Sequence, residues 1–327
     1  MMDNSEELVY AILFGTTSVI AVLLNFLLIL CSISKAHKLQ PSSFLSFCLC
    51  CSDGFNSTIN VIVTAMNLFV ADGGASPKCH ILGFLSYTGH AISLILVLSL
   101  TLCRYLYVLR QQHVTHRFAR RCAYISVVVA IMCCVMPLVL SPLNENNYTP
   151  STSRVACGAD WSARNPKGRI ITSIFMSVML LPVSFILFAY WHIYITMSKS
   201  ITEMKVALSN HVENGSRQSG KVMVAGETES VTVLKSATEM GAMKQALKLE
   251  EEQNSLLLQS VLICVSFVTG WITYVCMILY EAITGNQSSP MFDFVATYLI
   301  VCNEIAGPLI ILRFNKEIQA NLAGFFQ

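Results

Sequence analysis

Long, uncharged and mostly apolar runs recur along the whole chain. Five lie at 8–34, 81–103, 122–144, 170–198 and 253–280, and two more, 41–70 and 294–312, each contain a single acid. A helix needs roughly 20 apolar residues to cross a bilayer core about 30 Å thick. Only 12% of the residues are charged, whereas soluble domains average about 25%. The sequence therefore predicts an all-α membrane protein with a seven-transmembrane helix bundle.

The distribution of basic residues predicts the orientation of this bundle. Cytoplasmic loops next to membrane spans are enriched in Lys and Arg, and most basic residues lie on the inner side if the N-terminus is outside. We therefore expect a multi-pass protein of the cell membrane with a short extracellular N-terminus at 1–7 and a transmembrane domain at 8–313. The predicted spans are 8–34, 41–70, 78–110, 119–143, 168–198, 250–282 and 291–313.

Two inner segments are predicted to lie outside the bundle. Residues 199–249 form a third cytoplasmic loop rich in Ser, Thr, Lys and Glu, a composition that predicts a largely disordered segment. Residues 314–327 are predicted to form a short amphipathic eighth helix that lies on the inner membrane surface and contacts membrane lipids. Its apolar stripe consists of Phe314, Ile318, Leu322 and Phe325.

The predicted outer segments contain candidate sites for covalent modification. Of 13 cysteines, only Cys79 and Cys157 fall in these segments. Because the outside is oxidising, we expect a disulfide that joins the top of the third span to the loop after the fourth. Two free thiols are the alternative. Asn147 and Asn286 lie in N-x-S/T sequons of outer loops, which makes them candidate glycosylation sites.

Ionisable residues inside membrane spans are costly, so they are functional candidates by default. The chain places Asp53, Arg104 and Glu304 in or at the end of such spans. Neighbouring residues recur at defined intervals: Cys79 precedes Arg104 by 25 residues, Pro182 precedes Tyr190 by eight, and Phe267 precedes Trp271 by four. Asn25 lies in the first span and Pro308 in the seventh.

In this order, the motifs resemble those of rhodopsin-like G-protein-coupled receptors. The resemblance covers all but the fourth span and the inner loop. It implies a receptor, not an enzyme, that binds an extracellular ligand and activates a heterotrimeric G protein, with no nucleic-acid partner. A cation-coupled transporter or channel that uses Asp53 and Glu304 is the alternative.

The resemblance implies four groups of site residues. The ligand pocket comprises Ser86, Tyr87, His90, Tyr274 and Met277. A sodium or proton pocket, with a candidate Na⁺ at Asp53, comprises Asp53, Ser93, Asn303 and Glu304; a hydrated polar core is its alternative. The activation switch comprises Phe267, Trp271, Pro182 and Pro308, and the G-protein face comprises Arg104, Tyr105 and Tyr190. For Arg104 the alternative is a snorkelling membrane anchor.

The chain also departs from the family pattern at several positions. Cys103 replaces the acid that precedes the arginine, so we expect raised basal activity. Thr273 replaces the sixth-span proline, and Gly307 replaces the asparagine of the seventh-span motif. Ser86 stands where aminergic receptors have an aspartate, which argues against a monoamine held by an ion pair. The retinal lysine of opsins would fall at Val301, and because the seventh span has no lysine, we expect no covalent retinal.

Overall fold

The structure is a computed structural model that describes residues 4–69, 77–110, 112, 114–140, 148–159, 161–162, 166–219, 255, 258–259 and 261–325. All structural statements below concern these residues. The candidate glycosylation site Asn147 lies outside them, as do residues 220–249 of the predicted third cytoplasmic loop.

Eight helices make up most of the described chain. They are α1 (Asn4–Ser32), α2 (Pro41–Phe69), α3 (Pro77–Arg110), α4 (His116–Leu140), α5 (Pro166–Ser219), α6 (Val261–Thr284), α7 (Pro290–Phe314) and α8 (Lys316–Phe325). Six of these, α1 and α3 to α7, are long and apolar enough to cross a membrane. At 29 residues α2 is as long as α1, but its Ser, Asn and Thr residues lower its hydropathy. The predicted seven-helix bundle with an eighth helix is confirmed.

Helix α3 lies at the centre of the bundle. It packs against α2, α4 and α5 and buries Leu94, Leu96 and Leu100. The outer surface of the bundle is apolar instead of polar; on α5, for example, Leu181 and Trp191 are exposed. Since a soluble protein seldom exposes a large contiguous apolar area, this surface is consistent with lipid as the surrounding solvent.

Helix α5 is longer than the sequence predicts. It continues to Ser219, past the predicted end of the span at 198, and this differs from the prediction of a largely disordered loop over 199–249. The polar composition of this segment indicates only that it cannot fold alone. Adding residues to an existing helix avoids the nucleation cost that an isolated helix must overcome.

Helices α7 and α8 are separated by Asn315, whose backbone is extended. The Asn315 N–H donates to the carbonyl of Ile311 at 2.9 Å. Its side-chain Oδ1 accepts from the N–H of Ile318 at 3.1 Å, which caps the start of α8. The chain therefore turns at Asn315, and Ile318 is buried against the bundle.

A β-hairpin covers the predicted outer end of the bundle. Its strands, β1 (Tyr148–Pro150) and β2 (Cys157–Ala159), pair antiparallel. Cys79 at the start of α3 forms a disulfide with Cys157, with the two Cα atoms 5.5 Å apart. The predicted disulfide is confirmed, but the sequence reading did not anticipate the hairpin.

The tip of the hairpin is held to three helices. The N–H and hydroxyl of Ser153 donate to Oδ2 of Asp293 on α7 at 2.8 and 2.5 Å. Arg154, which adopts a positive φ of 59°, forms a salt bridge with Glu7 of α1 at 3.3 Å. Asn67 of α2 donates to the carbonyl of Arg154 at 2.5 Å. These contacts make the hairpin a lid on the bundle.

We predict that Asp293→Ala destabilises the protein more than Glu6→Ala, which removes an exposed acid at the same end of the bundle. The substitution leaves the buried Ser153 N–H and hydroxyl without their acceptor. Hydrogen bonds to charged groups contribute about 1.5–3 kcal/mol, so the Tm of the purified protein in detergent should fall by several degrees. Equal Tm values for the two variants would contradict the role assigned to Asp293.

Candidate functional site

A small cavity lies beneath the hairpin, between α3, α6 and α7, with a volume of about 70 Å³. All five residues predicted for the ligand pocket line it: Ser86, Tyr87, His90, Tyr274 and Met277. The hairpin contributes further walls, including Trp161, which follows β2. The tertiary structure thus brings the predicted pocket residues together around one cavity.

Aromatic side chains form much of the cavity wall. The hydroxyls of Tyr87 on α3 and Tyr274 on α6 are hydrogen-bonded to each other. The Tyr87 ring also contacts Tyr148, Trp161 and Phe175, with centroid separations of 5.7, 6.0 and 5.5 Å. Tyr87 therefore joins the lid, α5 and α6 at a single position.

His90 lies at the floor of the cavity and contacts three other helices. Its ring packs edge-on against Trp271 of α6 at 5.4 Å between centroids. Its Nδ1 is 2.9 Å from the amide of Asn56 on α2 and 3.8 Å from Oε1 of Glu304 on α7. With its amide oxygen turned toward His90, Asn56 also donates to the carbonyl of Ser86 at 3.2 Å.

A buried polar network lies next to His90, toward the middle of the bundle. Ser93 donates to Oδ1 of Asp53 at 2.7 Å, and its Oγ is also 3.0 Å from Oγ of Ser52. Ser57 donates to Oε2 of Glu304 at 2.6 Å. Both acids are buried, with Asp53 5% and Glu304 2% exposed.

The four residues predicted for the sodium or proton pocket do not all share one set of contacts. Asp53 and Ser93 are bonded directly, but Asn303 accepts from Ser266 of α6 and Glu304 bonds to Ser57. Within the described residues, no group of three His, Cys, Asp or Glu side chains is arranged to hold a metal ion.

Two observations nevertheless fit a small cation or a proton at this place. Oε1 of Glu304 is buried without a hydrogen-bond partner. A Cβ added to Gly307 would lie 3.5 Å from Oδ2 of Asp53, so the glycine leaves space beside the carboxyl that a larger residue would fill. Carboxylate and hydroxyl oxygens are the donors that hard cations prefer.

The predicted switch residues lie on α5, α6 and α7, and one of them, Trp271, lines the cavity. Phe267 and Trp271 are stacked on α6 with centroids 5.7 Å apart, and Trp271 meets Tyr274 edge-on at 5.7 Å. Pro182 lies inside α5 and Pro308 inside α7. At Gly270, a Cβ would approach the carbonyl oxygen of Leu299 to 3.1 Å, which indicates close packing of α6 on α7.

The predicted G-protein face lies near the inner ends of α3 and α5. Arg104 is buried, with 9% exposure, and Tyr190 of α5 lies within electrostatic range of its guanidinium. Tyr105 points differently, toward Phe185 and His192 of α5, with ring centroids 6.4 and 5.9 Å away. Arg104 is therefore buried inside the bundle. A snorkelling anchor would instead extend its guanidinium to the membrane surface.

The sequence reading missed the polar residues of α2. Ser52, Asn56 and Ser57 contact α3 or α7, yet of this helix only Asp53 was predicted as a site residue. Ser52 and Asn56 are four residues apart on one face of a membrane helix, which is a signal that could have identified them. Asn286, the second candidate glycosylation site, is exposed after α6.

We predict that Gly89→Ala destabilises the bundle by about 1–3 kcal/mol, the usual cost of overpacking. A Cβ at Gly89 would overlap the side chain of Asn56. Gly158→Ala is the matched control, because its Cβ would lie 3.5 Å from the hydroxyl of Tyr87. Thermal unfolding should rank Gly89→Ala below the control, and adding Asn56→Ala should restore part of the loss. No recovery in the double variant would argue against this contact.

Comparisons with known proteins agree with this architecture. A family model described as the 7 transmembrane receptor (rhodopsin family) matches residues 24–310. The crystal structure of squid rhodopsin is similar, with a TM-score of 0.77 and 15% sequence identity, covering 100% of this chain and 87% of that chain. A search among curated proteins finds no match. Since the family match extends over most of its length, the chain belongs to the rhodopsin family of seven-transmembrane receptors.

Proposed function

We propose that the protein converts binding of an extracellular ligand in the lidded cavity into activation of a heterotrimeric G protein at the inner end of the bundle. The observation that supports this most is the position of His90. One side chain lines the cavity, packs on Trp271 and faces Glu304. A ligand that displaces His90 acts at once on α6 and on the buried polar network.

The activation step is a shift between two arrangements of the bundle. A ligand favours the arrangement in which it makes better contacts, and the population shifts accordingly. Contacts with Tyr87 and Tyr274 would change the lid, α5 and α6 together, because the two hydroxyls are bonded. Movement of α6 then alters the surface around Arg104 and Tyr190, where the G protein binds.

The ligand is not a covalently attached retinal, because Val301 occupies the position of the opsin lysine and α7 contains none. Val301 lines the cavity, so that position faces the ligand. Ser86 stands where aminergic receptors have an aspartate, which argues against a monoamine held by an ion pair. The backbone carbonyl of Ser86 accepts from the Asn56 amide when the amide oxygen faces His90. Membership of the receptor family favours this function over the transporter or channel alternative.

Sodium should stabilise the resting bundle through Asp53. Oδ2 of Asp53 faces the space beside Gly307, and Ser93 donates to the other oxygen of the same carboxyl. An ion bound there would offset the cost of burying this carboxylate. A ligand at 100 times its Kd adds about 2.7 kcal/mol to stability. We predict that the Tm of the purified protein rises in NaCl relative to choline chloride at equal ionic strength, and that Asp53→Asn abolishes the rise.

Asp293→Asn is the control for this measurement. It removes a buried carboxylate at the lid, away from Asp53, and should leave the sodium response intact. A sodium response that persists in Asp53→Asn, or none in the unmodified protein, would overturn the sodium site and leave a proton-linked site or a hydrated polar core.

An acid at position 103 should lower basal signalling. Cys103 is buried next to Arg104, and Cys103→Asp would add an ion pair that stabilises the resting arrangement. We predict that basal nucleotide exchange on G proteins, measured in membranes with the receptor at equal expression, falls with Cys103→Asp. Cys103→Asn, which has similar size without charge, should fall less.

The role of Arg104 is tested in the same assay. Arg104→Ala should reduce exchange, because it removes the central side chain of the G-protein face. Unchanged exchange in Arg104→Ala would contradict G-protein activation through this face, and equal effects of Cys103→Asp and Cys103→Asn would contradict the ion pair.

A further inference from the structure

Helix α4 presents a cluster of three arginines near its start. Arg117, Arg120 and Arg121 are spaced three and four residues apart, so they share one face of the helix. All three are exposed. The opposite face carries buried Ala119 and Ser126 and packs against the bundle. The arginines therefore point away from the protein core.

These arginines lack an acidic partner within the described chain. The salt bridges found there join His90 to Glu304 and Arg154 to Glu7, and none includes an arginine of α4. Three guanidinium groups on two turns of a helix repel one another. A cluster without a counter-charge is an electrostatic match for an anionic ligand.

The same face forms a groove that continues into the apolar part of α4. The three arginines, Tyr124 and Ile125 line an open groove of about 410 Å³. Beyond it, Ile131 and Met132 lie on the same side of the helix and are 42% and 67% exposed. Along the helix, the face thus changes from basic to aromatic and then to aliphatic.

The dimensions of this face match one leaflet of a bilayer. Ten residues separate Arg121 from Ile131, which corresponds to about 15 Å at 1.5 Å per residue. Half of a hydrocarbon core about 30 Å thick is the same length. A charged headgroup at the arginines would therefore leave an acyl chain beside Ile131 and Met132.

We propose that this face of α4 binds a phospholipid with a multiply phosphorylated headgroup in the inner leaflet. Arginine guanidinium groups bind phosphate oxygens in a bidentate geometry. The three arginines carry three positive charges, more than the single negative charge of one phosphodiester can neutralise. The aromatic ring of Tyr124 lies at the level of the glycerol backbone, and the aliphatic stripe contacts the acyl chains. Basic pockets of this kind on the cytoplasmic side suit polyanionic headgroups.

Lipid binding to the purified full-length protein in neutral detergent tests the proposal. The probe is a fluorescent phosphatidylinositol bisphosphate, titrated alongside phosphatidylserine. The test variant is the triple substitution Arg117→Gln, Arg120→Gln and Arg121→Gln. The control, Lys35→Gln, Lys38→Gln and Arg313→Gln, removes three exposed basic residues elsewhere at the inner end. Far-UV circular dichroism and the Tm verify that both variants are folded.

We expect the triple arginine variant to bind the bisphosphorylated lipid at least tenfold more weakly, with less than a threefold change in the control. Phosphatidylserine should bind at least tenfold more weakly than the bisphosphorylated lipid. An equal loss of lipid affinity in the two variants, or equal affinity for the two lipids, would show only non-specific electrostatic attraction to a basic surface. Either result would overturn the site. Soluble inositol trisphosphate binding as tightly as the lipid would overturn the role of the acyl stripe.

Discussion

The hydrocarbon interior of a membrane offers no water to polar groups, so the polar side chains inside this bundle bond to one another. Ser93 donates to Asp53 across the α2–α3 contact, and Ser57 donates to Oε2 of Glu304 across the α2–α7 contact. Asn25 donates to the carbonyl of Glu304 at 3.0 Å, which joins α1 to α7. The relative positions of four helices therefore depend on this network, and any movement of one helix must exchange its hydrogen bonds.

The cavity and the polar network meet at His90. Its ring lies against Trp271 on one side and near Asn56 and Glu304 on the other. Gly89 precedes His90 on α3, and position 89 must lack a Cβ because the side chain of Asn56 occupies the space where it would lie. Gly89 thus has a packing role, since it allows α2 to approach α3 closely enough for the Asn56 amide to contact His90.

The lid adds a second constraint at the outer end. A disulfide holds β2 to α3, and Asp293 holds the hairpin tip to α7. Because both ends of the hairpin are attached to different helices, motion of α7 relative to α3 strains the lid. The cavity below it is small, so the lid and the helices around the cavity must move together for this space to enlarge.

The sequence by itself determined the helix count, their order and the Cys79–Cys157 disulfide. Span length, charge placement and cysteine location are local properties that the membrane environment converts directly into topology. It also marked the pocket residues through the family resemblance. Only the tertiary structure decided that Ser57 bonds Glu304, that Asn303 turns to Ser266, and that Ser153 meets Asp293. These contacts depend on the rotation of each helix about its axis and on the path of a loop, and both follow from packing between residues far apart in the chain.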